Sequence, residues 1–204
     1  MKNLIIFVLC LVMSSCASTY KPQNFAQTKN QVHIIAILPY SITIDGRNSP
    51  KGVSADAMKN SQEQTGYDIQ DKSYTYFLRR MNDYSVQFQD IAKTNALLRK
   101  ANIDFDGLAI QDKGELCKIL HVDAVISGRA MFSKPMSQGA SIATGLLFGS
   151  FGATNKTVVS LSIHNKDSEL VWKYDWSDSG AFSSSEEITN HLLRNASKKF
   201  PYKI

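Results

Sequence analysis

The segment VHIIAILPY, residues 32–40, constrains the fold more than any other part of the chain. From Val32 to Leu38 it is apolar except for His33, it is rich in branched residues, and it stops at Pro39. Such a run is too short and too β-branched for a helix, and it predicts a buried central strand. SITIDG continues this strand or pairs with it, and Gly46 begins a loop. The chain has 204 residues, enough for one domain with a real core and no disulfide or metal staples. With 43% hydrophobic and 20% charged residues it is not a disordered sequence.

Helices and strands then alternate. Residues 46–62 are polar and poorly patterned. Ile69, Ser73, Tyr76, Phe77 and Arg80 form a helical stripe within 66–83, and Tyr84, Val86 and Phe88 alternate as a short strand. DIAKTNALLRKANI is a helix stopped by Asn102. DKGELCKIL is a second helix with capping-box spacing between Asp112 and Glu115, and it runs into the strand VDAVISGRAMF. NKTVVSLSIHN and ELVWKYDW are strands joined by a turn at 165–168, and SSEEITNHLLRNASKKF closes the chain as a helix. The order β–α–β–α–α–β–β–β–α predicts a single α/β domain over 32–204, with a mixed sheet of about five strands and helices packed on it.

The first sixteen residues, MKNLIIFVLCLVMSSC, read as an address. A positive Lys2 precedes ten apolar residues, Leu4–Met13, followed by Ser14, Ser15 and Cys16. A permanent membrane span needs about 20 residues; this run has the proportions of a signal-peptide core. Met13-Ser14-Ser15-Cys16 resembles a bacterial lipobox. The resemblance implies removal of residues 1–15, lipidation of the Cys16 sulfur and acylation of the new N-terminus. Each buried methylene of such chains adds about 0.8 kcal/mol of anchoring. An Asp after the cysteine favours inner-membrane retention in Gram-negative bacteria. Ala17 stands there instead, so a periplasm-facing anchor in the outer membrane is expected. Residues 16–31 are polar and unpatterned and read as a flexible tether. Without Lys2 the formal charge is 22 − 18 = +4, with no basic run, which excludes a dedicated nucleic-acid binder.

HIIAILPY, TNALLRKANI and GELCKILHVDAVISGRA together resemble the curli-secretion lipoprotein family and its relatives. These include the lipoprotein activators of cell-wall synthases and the amino-terminal domain of TolB. The resemblance covers roughly residues 32–133. It implies a compact α/β domain of the cell envelope, generally without catalysis, that binds other envelope proteins or assembles into rings. The two long amphipathic hairpins with which the curli pore crosses the membrane are not found in this sequence.

Four features are candidates for function. The stretch 137–154 contains four glycines and no charge, and it carries Ile142, Leu146, Leu147, Phe148 and Phe151. It reads either as a membrane or subunit contact or as a loop folded over the domain's own core. Trp172, Tyr174 and Trp176 share one strand face. A core face is the favoured reading, with Trp176, at the strand end, as the candidate ligand contact. Cys117 and His121 stand four apart on a helix, the spacing of a nucleophile pair, but nothing nearby supplies an oxyanion hole. The histidines 33, 121, 164 and 191 lack ligand spacing, so neither a metal nor a cofactor is expected. The expected function is therefore a non-catalytic, lipid-anchored envelope module that binds other proteins. Its expected partners are the membrane, envelope proteins and, in a homo-oligomer, further copies of itself. A ring-forming secretion or pore accessory lipoprotein, and an envelope enzyme using Cys117 and His121, are the alternatives.

Overall fold

The computed structural model describes residues 16–44, 54–133, 156–178 and 185–204. Seven strands form one mixed sheet: β1 (Cys16–Tyr20), β2 (Ile34–Ile37), β3 (Ser41–Ile44), β4 (Gln87–Phe88), β5 (Ala124–Ser133), β6 (Lys156–Asn165) and β7 (Leu170–Asp178). Among the described residues six α-helices accompany it: α1 (Phe25–Thr28), α2 (Ala55–Leu78), α3 (Ile91–Lys100), α4 (Gly107–Ile110), α5 (Lys113–Leu120) and α6 (Ser185–Lys199). Strands run in the order β1-β7-β6-β5-β2-β4, with β3 also beside β5. The α/β class and the mixed sheet agree with expectation, with seven strands where about five were expected.

β2 is the buried central strand. Ile35, Ala36 and Ile37 are fully buried, between the parallel neighbours β4 and β5. β3 continues β2 along the same edge of β5. Ile35 lies opposite Ala124 and Ser41 opposite Arg129, so six steps on one side match five on the other. The extra residue is absorbed at Leu38-Pro39-Tyr40, where Pro39 offers no amide hydrogen to a ladder. β5, β6 and β7 form an antiparallel meander.

The two sheet faces are covered unequally. On one, Ile35, Ile37, Ile126, Leu161, Trp172 and Tyr174 meet α2 and α6 through Ile69, Phe77, Leu192 and Leu193. Phe77, Tyr84, Phe88 and Phe200 form an aromatic cluster there, with centroids 4.8–6.4 Å apart. On the other, Ala36, Leu38 and Val125 meet Leu98, Leu108, Leu116 and Leu120 of α3, α4 and α5. That second layer covers β2 and the start of β5 and leaves the outer face of β5–β7 open.

Local signals place these helices. Asp90 caps α3 by accepting from the Lys93 amide at 3.1 Å, and Asn102 ends it in the left-handed region at φ 57°. Asp112 caps α5 by accepting from the Glu115 amide at 3.0 Å. The Glu115 carboxylate does not complete the capping box; it pairs with Lys118 at 2.7 Å. Ser168, in the β6–β7 turn, donates to Asp112 at 2.7 Å and accepts from the Gly114 amide at 3.0 Å, tying that turn to α5.

Three expectations are corrected. Residues 16–31 are not a free tether where described: 16–20 form β1, paired antiparallel with β7, and 25–31 form helical turns with Phe25 buried. Residues 55–65 are the first half of the 24-residue α2, capped by Ser54, rather than loop. The strand expected over 84–90 shrinks to Gln87–Phe88, with Tyr84 bridging to Lys203.

Candidate functional site

The open face of the sheet is polar by alternation. β5, β6 and β7 send apolar residues inward and Ser127, Arg129, Ser160, Ser162, Lys173 and Asp175 outward. The register places them in rows. Ser41, Arg129, Ser160, Asp175 and Ser18 lie side by side across five strands, and Ser127, Ser162, Lys173 and Tyr20 form the next row. Where α4 and α5 end against this face, a groove of about 420 Å³ opens. Its floor is the polar grid, and one wall is apolar: Leu38, Pro39, Phe105, Leu108 and Ala109.

The charges in the groove are unequally engaged. Lys173 and Asp175 pair at 2.9 Å. Lys113 stands at the wall and donates to the carbonyls of Leu108 and Gln111, both at 2.9 Å, and partial burial holds its pKa below the usual lysine value. Arg129 is exposed and makes no hydrogen bond or ion pair with a described residue. Three cations against one carboxylate leave 3 − 1 = +2 in the groove. His164 lies deeper, beside Lys113. Burial first, and then that lysine's charge, lower its pKa and keep the ring neutral.

The residues singled out by sequence separate. Cys16 opens β1. Ile142, Leu146, Leu147, Phe148 and Phe151 lie outside the described residues. Trp176 is not an exposed ligand contact: it is 2% exposed, and Trp172 and Tyr174 are fully buried with it, so the aromatic row is core. Cys117 is buried, and desolvation pushes its thiol up to about 12, away from the thiolate a nucleophile needs. His121 is an exposed C-cap in the left-handed region at φ 54°; its backbone amide donates to the Cys117 carbonyl, and among the described residues no side-chain hydrogen bond joins its ring to the Cys117 thiol. The Cys117 sulfur instead faces the His164 carbonyl at 4.0 Å. Among the described residues no group of three or more His, Cys, Asp or Glu could hold a metal, and no helix is long and apolar enough to cross a membrane.

The groove was not foreseen, although its signal is in the sequence. Ser127/Arg129, Ser160/Ser162 and Lys173/Asp175 are polar pairs at spacing two inside otherwise apolar strands. Three such pairs mark a sheet face left to solvent.

No protein-family model matches the chain, and no curated protein matches it. Similar solved structures include a PelC dodecamer from Paraburkholderia phytofirmans (10% identity, 89% of this chain and 94% of that one, TM-score 0.41). Lipoprotein GNA1162 from Neisseria meningitidis is similar at 11% identity over 81% and 94% of the two chains, with a TM-score of 0.42. The LpoB C-terminal domain from Salmonella enterica is similar at 6% identity over 78% and 95%, with a TM-score of 0.37. These likenesses are loose in both sequence and geometry.

Proposed function

We propose that this chain is a non-catalytic module of the bacterial cell envelope, anchored by lipid on Cys16, that binds other envelope proteins through its rigid α/β domain. The observation that carries this reading is the position of Cys16. The residue that ends the apolar leader is also the first residue of the sheet, opposite Ser177. Ile44 lies opposite Phe132, Ser133 opposite Lys156, and Thr157 opposite Asp178. All of these residues therefore stand at the same end of the sheet as Cys16. An acylated Cys16 would leave no spacer, so this end faces the bilayer. Strand β5 ends and β6 begins at that same end. The buried Cys117 thiol, pushed up to about 12, does not favour the alternative in which it acts as a nucleophile.

Orientation tests the proposal. The opposite end of the sheet, at the 165–168 turn, lies about 30 Å away along the ten-residue β6. A nitroxide placed by Met131→Cys should be relaxed by membrane-embedded quenchers in vesicles carrying the lipidated protein, and one placed by Asp167→Cys should not. Equal quenching at both positions, or quenching at 167 alone, would refute the orientation.

A further inference from the structure

The groove between α4–α5 and the open face of β5–β7 has a volume within the range of small-ligand pockets, about 300–1,000 Å³. Its chemistry is two-sided. The floor offers a guanidinium without a partner among the described residues, an ammonium paired with Asp175, and the hydroxyls of Ser127, Ser160 and Ser162. The wall offers Leu38, Pro39, Phe105 and Leu108.

We infer that this groove binds a carboxylate standing next to an apolar side chain, as at the C-terminus of a partner polypeptide that ends on an apolar residue. Arg129 presents a planar fork that grips a carboxylate through two parallel hydrogen bonds. Lys113 has spent two of its three donors on Leu108 and Gln111 and keeps the third. Asp175 lies in the same row as Arg129, two strands and about 10 Å away, and limits how much negative charge the floor accepts. The net charge of +2 attracts an anion, and the choice between a carboxylate and a bare dianion rests on the apolar wall. The apolar wall has no role for a bare ion and suits an adjoining side chain. The polypeptide origin of the carboxylate rests on the protein-binding reading above; the site itself does not.

The test uses the full chain in mild detergent, titrated with N-acetyl-L-phenylalanine and with its neutral amide at pH 7 by calorimetry and amide-shift mapping. The acid should bind at least about tenfold more tightly than the amide, the size of one charged hydrogen-bonding pair. Shifts should concentrate on Ser127–Arg129 and Ser160–Ser162. Arg129→Gln should erase the difference between acid and amide with an unchanged melting curve. Asp175→Asn, which removes the local negative charge, should tighten the acid, an opposite sign that a structural role would not produce. Equal binding of acid and amide, shifts elsewhere, or inorganic phosphate binding more tightly than the acid would overturn the site. So would a dimer that Arg129→Gln dissolves, because the groove's occupant would then be a second copy. Failure of lipidation at Cys16 with acid binding intact would refute the anchor and leave the groove standing.

Discussion

Tyr40 shows how tightly single positions are fixed. It is fully buried with its ring on Gly128 and its hydroxyl 2.7 Å from that of Ser73, which reaches the Ile69 carbonyl at 2.7 Å. Its amide donates to the Gly66 carbonyl at 3.1 Å. A Cβ on Gly128 would overlap the Tyr40 ring. Gly128→Ala should therefore cost about 1–3 kcal/mol by overpacking, lowering the melting temperature by on the order of 5 °C. An unchanged melt would show that the ring has room to move. Cys117 is the other informative residue. Its thiol is raised from an ordinary value near 9 to about 12 because burial disfavours the thiolate. The folded state therefore favours the protonated thiol. That contribution is complete below pH 9 and is lost as the pH rises towards 12. Between those limits the melting temperature should fall further for the native protein than for Cys117→Ala. The native thiol should also stay unreactive to a disulfide reagent at pH 8 until the protein unfolds. Stoichiometric labelling of the folded protein would contradict this.

At the scale of elements, legibility followed locality. β2 was legible because Ile35–Ile37 are buried on both faces, and α3 and α5 because Asp90, Asn102 and Asp112 supply their own stop and start signals. β1 was not legible. CASTY has no apolar alternation, and what makes it a strand is backbone pairing to β7, some 155 residues away. The same pairing explains Trp176. Beside β6 alone it would sit near a strand end, but Ala17 on one side and Val159 on the other place it well inside the sheet. The first half of α2 was missed because its buried stripe begins only at Thr65 and Gly66. The groove escaped notice because it depends on where the helical layer stops, which no single strand reports. Asp112 carries a prediction at this scale. The Ser168 hydroxyl first, and then the Glu115 amide, hold its carboxyl below the usual range. The stabilisation is present above the ordinary value of about 3.9 and is lost as the pH falls through the lowered one. Asp112→Asn, which can still cap α5, should show a smaller fall in melting temperature between pH 6 and pH 3 than the native protein. An identical acid limb in both would remove Asp112 from the account.

For the whole molecule, the unequal coverage of the sheet divides labour. The face under α2 and α6 holds the aromatic core, the opposite face carries the groove, and the Cys16 end is the proposed point of attachment. With β1 built into the sheet, the proposed anchor and the fold would share a residue, and the bilayer would set the direction in which the groove is presented. The attachment depends on the chemistry of one sulfur. The most direct measurement is the intact mass of the mature protein isolated from bacterial membranes, beside that of Cys16→Ser. A lipid anchor at Cys16 requires a native chain that begins at Cys16 and carries acyl groups, while the serine variant is neither acylated nor cut before residue 16. A native protein that retains Met1, or that is cut at another residue and recovered without lipid, would contradict it.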